Sequence, residues 1–499
     1  PMRANLDSYF SPFVGFYSAK GIGWALLFYP FAALAMAENE GRARQLFVTG
    51  MASGLATSSA FILWERHSFP GLFNLAHEYR VTGPFSAMHV GGAYVEGYLI
   101  GALPFAACLA IRFGPSVRGL ASMALLAGAT YALLVTHSRG AYLALVAASA
   151  AFVLPLGLAM LRGKRGRLGH AIAGLVVVGA LATGVIALGR GETMQQRFAT
   201  VLADGQTRID HWARSLRMVE TRAAGWAVGI GPGQFSSTYF WRPDAIDVPS
   251  RIIYGSDDQD TFVRIGSGAT TFVSQFVDVV SDSRYVFNAR VRASRTPAEF
   301  SFPLCEKWLL DSFGCVWTTV TIEGAPGQWT SVHRELNTQE LQYARALTGR
   351  PVKLSLFNPN PSTFIDITAV SLRDSIGREL VGNGSFSAGP DRWIFTTDSH
   401  LAWHAKNLPI HVLVELGAIG LLLFFAVMVR SMLTTGRHAL EGDVFAATLL
   451  ASVVGMLTVG LTDSLIDAPR LATMLFLLVE IGVLLGWSPS RRMITAGTT

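Results

Sequence analysis

The sequence predicts a polytopic α-helical membrane protein with about nine visible spans and one inserted all-β domain of jelly-roll or sandwich type. The first observation is composition, since 51% of the 499 residues are hydrophobic and only 15% are charged, whereas soluble domains carry about 25% charged residues. The second is a series of apolar runs long enough to cross a bilayer. The third is a long interval after the sixth run, in which short alternating strands replace helical patterns.

The spans are predicted from uninterrupted apolar runs, because a helix needs roughly 17 to 25 such residues to cross a bilayer. The nine runs are 21–37, 45–64, 89–110, 119–136, 140–161, 170–189, 409–429, 443–462 and 470–487. They give a first helical part at 1–189 and a last part at 396–499, which includes a polar segment before the seventh span. Residue 1 then lies outside, and we expect further amino-terminal spans in a longer chain.

Basic residues predict the topology, because lysine and arginine next to membrane ends mark the cytoplasmic side. Five basic groups fall on the same side of the nine-span scheme. They are Arg42 with Arg44, Arg112 with Arg118, the group from Arg162 to Arg167, Arg430 with Arg437, and Arg491 with Arg492. Residues 65–88, the tip near Ser138, the stretch 190–408 and the turn 463–469 are therefore predicted to lie outside. Because the basic residues cluster at membrane ends, the net charge of +6 indicates topology and not nucleic-acid binding.

The long external stretch has two parts. Residues 190–249 are predicted to contain an amphipathic helix along the membrane face, because apolar residues recur at three- and four-residue steps over 192–223. Residues 250–395 alternate in short runs between turn residues, which predicts the β domain. Cys305 and Cys315 lie in this domain, and an oxidising compartment favours a disulfide between them.

Four arginines at the predicted outer surface are candidate anion ligands. Arg139, in THSRGAYLAL, lies where the fourth span reaches the surface. A cation there is costly unless it is paired, lines a polar cavity or extends to the interface. Arg80, Arg208 and Arg214 lie in two further external segments near membrane ends. Each alone is typical of a solvated surface residue, but guanidinium groups from three segments together fit a pyrophosphate.

A second candidate cluster precedes the seventh span, in DSHLAWHAKNLPIH. Its candidates for proton transfer are His400, His404, Lys406 and His411. Histidine suits this chemistry because its pKa lies near neutral pH. The alternative is a set of polar interfacial residues beside Trp403, a typical belt aromatic.

Three other features have simple explanations. The glycine-rich segment GIGPGQF at 229–235 lacks the lysine of a phosphate loop, and a turn explains it equally well. Asp463 and Asp467 either orient a base or cap helices. Cys108 lies within a span, where packing explains it. With three cysteines and no zinc-like spacing, we expect no metal site.

At these residues the chain resembles the O-antigen ligase and O-antigen polymerase superfamily, bacterial inner-membrane transferases of lipid-linked glycans. The matching pieces, in chain order, are RVTG with Arg80, SRGA with Arg139, the arginine- and tryptophan-containing helix followed by GIGPGQF, and Asn407 followed by Gly417 and Gly420. The β domain is similar to jelly-roll carbohydrate-binding modules. Its tryptophans, which either stack on sugar or belong to the core, are Trp308, Trp317, Trp329 and Trp393.

The resemblance implies a donor, undecaprenyl pyrophosphate carrying a glycan, and transfer of that glycan to an acceptor hydroxyl in the periplasm. Neither a metal nor another cofactor is implied. Arg80, Arg139, Arg208 and Arg214 would bind the pyrophosphate, and a histidine before a late span would activate the acceptor. The acceptor itself, whether a glycan, a lipid or a protein, is left open.

The identity of the base is a point of departure from the family. Where the family has His-Asn, this chain has Lys406 and Asn407, with His404 two residues before Lys406. An unperturbed lysine, with a pKa near 10.4, is charged at neutral pH, whereas an unperturbed histidine is partly or mostly neutral. This difference favours His404 as the base and Lys406 as a partner of the donor phosphates. His400 and His411 remain candidates.

Two alternatives to a glycan ligase or polymerase stay open. Within the same chemistry, a protein O-oligosaccharyltransferase would use a serine or threonine acceptor. From another class, a polysaccharide transporter or channel with a sensory β domain predicts interrupted spans in paired repeats and an intramembrane polar pathway. The polar candidates here gather at one external face, which favours the transferase.

Overall fold

The computed structural model describes residues 13–163 and 201–487, apart from 75–76, 78, 86–92, 222–223, 241–249, 258–259, 269, 310, 343–349 and 398–400. The chain divides into two compact units. The β unit comprises Ser237–Ala402, and the helical unit comprises Phe13–Ser236 with Trp403–Thr499. The β strands are inserted between two stretches of the helical unit, as the sequence predicts.

The helices are taken in chain order. They are α1 Val14–Ser68, α2 Tyr94–Phe113, α3 Val117–Leu134, α4 Arg139–Leu161, α5 Val201–Arg217, α6 Gly225–Val228, α7 Phe235–Phe240, α8 Leu408–Ala439, α9 Val444–Gly460 and α10 Pro469–Leu484. Short 3₁₀ turns follow α5 at Val219–Thr221 and α10 at Leu485–Trp487.

Five of the described helices are long and apolar enough to cross a membrane, by length and composition. Their ranges are Gly15–Ser68, Tyr94–Phe113, Val117–Leu134, Arg139–Leu161 and Leu408–Ala439, and Val444–Gly460 is a shorter apolar helix. The expectation of several long apolar helices is confirmed. The number of spans stays a prediction, and the predicted span at 170–189 lies outside the described residues.

The first two predicted spans form one continuous element, α1, with a sharp break instead of a connecting loop. The break lies at Asn39, whose φ of −152° and ψ of 85° are not helical. Its side-chain Oδ1 accepts a hydrogen bond of 3.0 Å from the backbone N–H of Arg42. Asn39 therefore caps the second half of α1, as asparagine commonly does at the start of a helix.

The β unit contains two antiparallel sheets. The strands are β1 Ile252–Ser256, β2 Thr261–Ile265, β3 Thr271–Val277, β4 Arg284–Ala293, β5 Ala298–Ser301, β6 Leu304–Trp308, β7 Asp311–Val316, β8 Thr319–Ile322, β9 Thr330–Asn337, β10 Val352–Phe357, β11 Ile365–Arg373 and β12 Ile394–Thr397. One sheet has the order β1-β2-β11-β4-β9. The other has the order β12-β3-β10-β5-β8, with β6 paired to β10 and β7.

Alternation along the strands builds a single apolar core between the sheets. In β4, buried and partly exposed residues alternate, so that Tyr285, Phe287 and Val291 point inward. The Phe287 ring stacks on Phe302 with centroids 3.9 Å apart. The predicted β-sandwich is thus confirmed as a separate folded region with its own core.

The cysteine predictions for this unit and for α2 agree with the structure. Cys305 of β6 and Cys315 of β7 are directly paired in register and joined by a disulfide. Cys108 is a free thiol buried within α2. The bridge therefore ties the two strands of one hairpin together.

The four tryptophans of the β unit divide between core and surface. Trp308 and Trp393 are buried, at 4% and 6% exposure, so they are structural. Trp329 is partly exposed, and the guanidinium groups of Arg290 and Arg292 lie over its ring at 5.3 and 4.5 Å from the centroid. Trp317 is 53% exposed. The suggestion of sugar stacking is therefore wrong for Trp308 and Trp393, because neither ring is accessible.

Candidate active site

A buried ion-pair network lies where the segment before α8 meets the segment between α9 and α10. His404 places Nδ1 2.9 Å from Asp467 Oδ2 and Nε2 3.2 Å from Asp463 Oδ1. Lys406 Nζ lies 3.2 Å from Asp463 Oδ2, so one carboxylate faces two cations. Buried charges persist only when they are paired, and the four side chains His404, Lys406, Asp463 and Asp467 balance two positive charges against two negative ones. We call these four residues the ion-pair network.

The two carboxylates control the protonation of His404. Burial and the charge of Lys406 lower its pKa, but Asp463 and Asp467 outweigh both and raise it from 6.5 to about 9. Burial favours a higher pKa for Asp467, yet the neighbouring His404 holds it below its ordinary value. The expectation that His404 is partly or mostly neutral near pH 7 is therefore wrong, because both ring nitrogens face carboxylates that stabilise the imidazolium.

Lys406 shifts in the opposite direction from His404. Burial lowers its pKa, and the nearby Arg208 acts in the same direction, although Asp463 opposes them. Its backbone φ of 53° lies in the left-handed region, which non-glycine residues rarely adopt. The chain accepts this conformation at the position where the side chain turns toward Asp463, as strained residues at functional sites often do.

Asn407 connects the network to two helices. Its Oδ1 accepts a hydrogen bond of 3.0 Å from the N–H of Ile410 and caps α8. Its Nδ2 donates to the carbonyl oxygen of Leu461, 3.0 Å away at the end of α9. Asn407 therefore fixes the start of α8 beside the segment that carries Asp463.

Arg80 is held by two other segments of the helical unit. Its Nε donates to the carbonyl oxygen of Thr136, 2.9 Å away, and its Nη2 lies 3.2 Å from Glu96 Oε1. Glu96 is buried in the first turn of α2, and Arg80 is 20% exposed. The described residues thus hold the guanidinium group of Arg80 through two of its three nitrogens.

The loop that carries Arg80 is organised around a buried carboxylate. Glu65, at the end of α1, is fully buried and accepts hydrogen bonds from the Tyr79 hydroxyl at 2.6 Å and from the N–H groups of Thr82 and Gly83 at 2.8 and 2.7 Å. Three donors on one buried carboxylate fix the loop on both sides of Arg80. The position of Arg80 is therefore set by the fold and not by solvent.

Arg139 and Arg208 lie at segments that meet near the network. Arg208 Nη1 donates to the carbonyl oxygen of Thr462, the residue before Asp463. Gly140 approaches the same residue so closely that a Cβ there would lie 2.4 Å from Thr462 Oγ1. Arg139, beside Gly140, is the first residue of α4 and is partly buried. The segment at 461–463 therefore contacts both the start of α4, beside Arg139, and the middle of α5 at Arg208.

His211 brings α5 to the backbone of the network. Its Nε2 lies 3.0 Å from the carbonyl oxygen of His404. Burial, together with the charges of His404 and Arg214, lowers the pKa of His211 to about 4. The neutral ring therefore donates from Nε2 to this carbonyl. Arg214, one helical turn along from His211, is partly exposed beside it.

The GIGPGQF segment forms a turn against a break in α8. Gly417 has a φ of 70° inside α8, where the helix is interrupted. The interruption frees the carbonyl oxygens of Val414 and Glu415, which accept hydrogen bonds of 2.9 Å from the N–H groups of Ile230 and Gly231. Because such helix-end carbonyls require partners when buried, the turn completes the broken helix. The sequence predicts an uninterrupted seventh span at 409–429, and this prediction is wrong because the helix is broken at Gly417.

The side chain of Glu415 strengthens the same junction. Its two oxygens accept hydrogen bonds from the N–H groups of Gly233 and Phe235 at 2.9 and 3.1 Å. His411 Nε2 lies 3.5 Å from Glu415 Oε2. The Phe235 ring stacks on His411 with centroids 5.6 Å apart and contacts His211 at 6.2 Å. His411 therefore belongs to the junction, which adjoins the network through His211.

The sequence-predicted residues have different outcomes in the structure. His404, Lys406, Arg80 and Arg208 lie in or directly beside segments that meet, whereas His400 lies outside the described residues. Sequence reasoning missed the roles of four residues. They are Glu65, Glu96, His211 and Glu415. An acidic residue in an otherwise apolar span was the available signal for Glu96 and Glu415, because a buried charge implies a partner.

The solved structures that resemble this chain do so over 25 to 29% of its length. No family model matches the chain, and no curated relative matches it. Three solved structures are similar at the level of fold: a CBM4 protein (15% identity, TM-score 0.20, covering 25% of this chain and 78% of that chain), the PbXyn10C CBM (17%, 0.20, 29% and 88%) and a Family 16 Carbohydrate Binding Module (14%, 0.18, 25% and 86%). All three are carbohydrate-binding modules.

Proposed function

We propose that this protein is a membrane glycosyltransferase that moves a glycan from an isoprenoid pyrophosphate to an acceptor hydroxyl. One observation carries the proposal. Arg80 of the α1–α2 loop contacts the turn at Thr136, and Arg208 of α5 contacts the turn at Thr462, which continues into the ion-pair network. Gly140, at the start of α4, packs against Thr462. A cationic surface beside buried proton-transfer groups suits a reaction in which pyrophosphate leaves and a hydroxyl loses its proton.

The arginines are proposed to bind the pyrophosphate. Arg80 is held through Nε and Nη2, Arg208 contacts the turn at Thr462, and Arg139 begins α4 beside Gly140. Arg214 lies near His211 on α5. Guanidinium groups bind phosphate oxygens in a planar fork and remain charged at all relevant pH values. As the glycosidic bond breaks, negative charge grows on the leaving pyrophosphate, and the fixed cations stabilise that charge.

His404 is proposed to accept the proton of the acceptor hydroxyl, with Lys406 as its charged neighbour. The pKa near 9 makes neutral His404 a strong base but a minor species at pH 7. Asp463 and Asp467 then stabilise the imidazolium that forms when the proton arrives. The turnover rate should consequently rise with pH until the pKa of His404 is reached.

The proposed location is the bacterial inner membrane, with the β unit and the ion-pair network in the periplasm. Cysteine labelling tests this arrangement. A cysteine at exposed Arg437 should resist a membrane-impermeant thiol reagent in intact spheroplasts, and a cysteine at exposed Ser387 should react. Labelling of Arg437→Cys from outside would contradict the topology.

The test of the reaction is reconstitution of the purified full chain with an undecaprenyl-pyrophosphate glycan. Candidate acceptors are a lipid A core, a second glycan and a serine- or threonine-containing protein, and the last would identify a protein O-oligosaccharyltransferase. Product analysis by mass spectrometry distinguishes them. Movement of intact polysaccharide across proteoliposomes without a new glycosidic bond would instead indicate a transporter or channel.

The β unit is proposed to bind glycan through an aromatic surface around Trp317. The exposed Trp317 ring lies 6.4 Å from Phe357, which lies 5.0 Å from Phe272. Lys353 Nζ lies over the Phe272 ring at 5.9 Å. Flat apolar rings flanked by a polar head group suit the apolar face and hydroxyl edge of a sugar. Trp317→Ala in the full chain should weaken glycan binding in calorimetry, and Ile376→Ala, another exposed apolar residue, should not.

A further inference from the structure

The first turn of α2 brings a tyrosine, Tyr94, to the ion-pair network. Its hydroxyl lies within hydrogen-bonding reach of the Asp467 carboxylate. The same end of α2 packs against the segment before α10, since a Cβ at Gly97 would lie 3.0 Å from Leu465 Cδ2 and 3.6 Å from Leu471 Cδ1. The packing of a helix end therefore fixes Tyr94 beside Asp467.

Asp467 has one oxygen that the ion-pair network does not use. Its Oδ2 lies 2.9 Å from His404 Nδ1. Its Oδ1 is buried and receives no hydrogen bond from the other three side chains of the network. A buried carboxylate oxygen without a donor is costly, and a tyrosine hydroxyl is a donor of the kind that it requires. Tyr94 and His404 together can thus hold the Asp467 carboxylate in one orientation.

The same helical turn also carries Glu96, the buried partner of Arg80 at 3.2 Å. Glu96 is hydrogen-bonded to Ser138 and lies close enough to Asp463 for the two charges to interact. Residues two apart in a helix point to different faces, so Tyr94 and Glu96 reach different partners from one turn. The start of α2 therefore connects the loop of Arg80 with the ion-pair network.

The position of Asp467 determines which nitrogen of His404 accepts a proton. A neutral imidazole has one N–H group, and the hydrogen bond made by one nitrogen selects the tautomer. Asp467 lies 2.9 Å from Nδ1, whereas Asp463 lies 3.2 Å from Nε2. The closer carboxylate keeps the proton of neutral His404 on Nδ1, so Nε2 carries the lone pair that accepts the next proton.

We propose that Tyr94 is a positioning residue, whose hydroxyl holds Asp467 so that His404 keeps its Nδ1–H on that carboxylate. The proposal rests on the proposed function, because the proton that His404 accepts comes from the acceptor of that reaction. The acceptor O–H bond breaks as Nε2 forms an N–H bond. The acceptor oxygen bonds to the sugar carbon as the bond from that carbon to the pyrophosphate breaks. Tyr94 exchanges no proton and acts through Asp467.

The test removes one hydroxyl and keeps the ring. Tyr94→Phe is compared with Tyr98→Phe, one turn further along α2, where the hydroxyl is hydrogen-bonded to Ser58 of α1. The unfolding temperature of the full chain in detergent, measured between pH 6 and 10 without donor, reports the pKa of His404. A less firmly held Asp467 stabilises the imidazolium less. In Tyr94→Phe the decrease in unfolding temperature should therefore end roughly one pH unit lower than in wild type, and Tyr98→Phe should match wild type.

The other titratable groups near His404 stay the same in both variants, so they cancel in this comparison. They are Asp463, Asp467, Lys406, His211 and His411.

The second measurement is the pH profile of kcat/KM for the acceptor. Above pH 9, where neutral His404 predominates, Tyr94→Phe should be about tenfold slower than wild type, because the ring is less well placed. KM for the donor should not change. When Tyr94→Phe is added to Asp467→Asn, no further loss should occur, because a residue that acts through Asp467 has no effect once that carboxylate is gone.

Three results would overturn the positioning role. Tyr94→Phe could keep the wild-type pH profiles, as Tyr98→Phe should. Its profiles could move to higher pH, which would show that the hydroxyl only competes with His404 for the charge of Asp467. The losses from Tyr94→Phe and Asp467→Asn could also be additive, as expected for a purely structural tyrosine.

Failure of the proposed function gives a different result from failure of the positioning role. If the protein is no transferase, wild type forms no glycan product with any acceptor, and the unfolding temperatures still show whether Tyr94 acts on His404. If the transferase assignment holds and the positioning role does not, Tyr94→Phe forms product at the wild-type rate across the pH range. A shift in both measurements toward lower pH supports both.

Discussion

Gly417 and Gly229 pack backbone to backbone at the break in α8. A Cβ at Gly417 would lie 2.2 Å from the carbonyl oxygen of Ala227, and a Cβ at Gly229 would lie 2.4 Å from the carbonyl group of Glu415. Both glycines also have a positive φ, of 70° and 74°. The break and the GIGPGQF turn therefore form one structure, in which each segment supplies the partner of the other.

Gly417→Ala should destabilise the helical unit by at least about 2 kcal/mol, because alanine meets both the left-handed backbone and a carbonyl oxygen. Thermal unfolding in detergent measures the effect. The matched control is Gly436→Ala in the same helix, where a Cβ meets nothing within 4 Å. Alanine there should be neutral or stabilise by up to about 1 kcal/mol. Equal effects of the two variants would contradict the packing described here.

The sequence predicts the apolar helices and the β-sandwich because both depend on patterns of neighbouring residues. Long apolar runs and short alternating runs are local signals. The break at Gly417 depends instead on a turn almost two hundred residues earlier in the chain. The segment GAIGLLLF contains no signal that distinguishes a glycine inside a regular helix from one with a positive φ. The sequence alone therefore predicts an unbroken helix.

The site was predictable in its composition but not in its charge state. His404 and Lys406 stand out in the sequence, and so do Asp463 and Asp467 as polar residues between apolar runs. Their pairing, however, depends on how the turn after α9 meets the segment before α8. A residue's ordinary pKa is the best guess without its neighbours, and here two buried carboxylates change it.

The disulfide should stabilise the β unit by roughly 2 to 3 kcal/mol, because it closes a short loop in the unfolded chain. Cys305→Ser with Cys315→Ser removes a bridge whose cysteines are ten residues apart. Calorimetry should show a lower unfolding temperature for the β unit and an unchanged transition for the helical unit. Cys108→Ser serves as a control, since it removes a buried free thiol elsewhere. An unshifted β transition in the double variant would show that the bridge contributes nothing.

Arg80→Lys should reduce donor turnover by at least tenfold, although it keeps the positive charge. Lysine has one donor group at the end of a flexible chain and cannot contact Thr136 and Glu96 while facing a phosphate. Steady-state kinetics with purified donor measure the change. Arg378→Lys in the β unit, an exposed ion-paired arginine, should leave turnover unchanged.

Arg139→Lys should resemble Arg80→Lys, and wild-type turnover in Arg139→Ala would remove Arg139 from the mechanism.

The ion-pair network should make stability depend on pH. The pKa of His404 is raised from 6.5 to about 9 in the folded protein, so folding favours the protonated ring. This contribution is fully present below pH 6.5, declines as pH rises and is lost above about pH 9. The unfolding temperature of the wild-type protein, measured between pH 6 and 10, should decrease as pH rises from 6.5 to about 9. His404→Gln should remove that part of the pH dependence. An identical slope in His404→Gln would assign it to other groups.

The last prediction concerns which residue takes the proton from the acceptor. If His404 is the base, kcat/KM for the acceptor should rise about tenfold per pH unit below pH 9, because only the neutral ring accepts a proton. Asp467→Asn removes the carboxylate closest to His404, at 2.9 Å, and should move this rise to lower pH. His404→Gln should abolish turnover at every pH, and Lys406→Ala should mainly raise KM for the donor. Lys406 is the alternative base, since burial lowers its pKa. A His404→Gln variant that keeps the rise with pH, together with a Lys406→Ala variant that is inactive at saturating donor, would transfer the role to Lys406. The shift caused by Asp467→Asn separates the two further, because Asp467 contacts His404 directly while Lys406 is paired with Asp463.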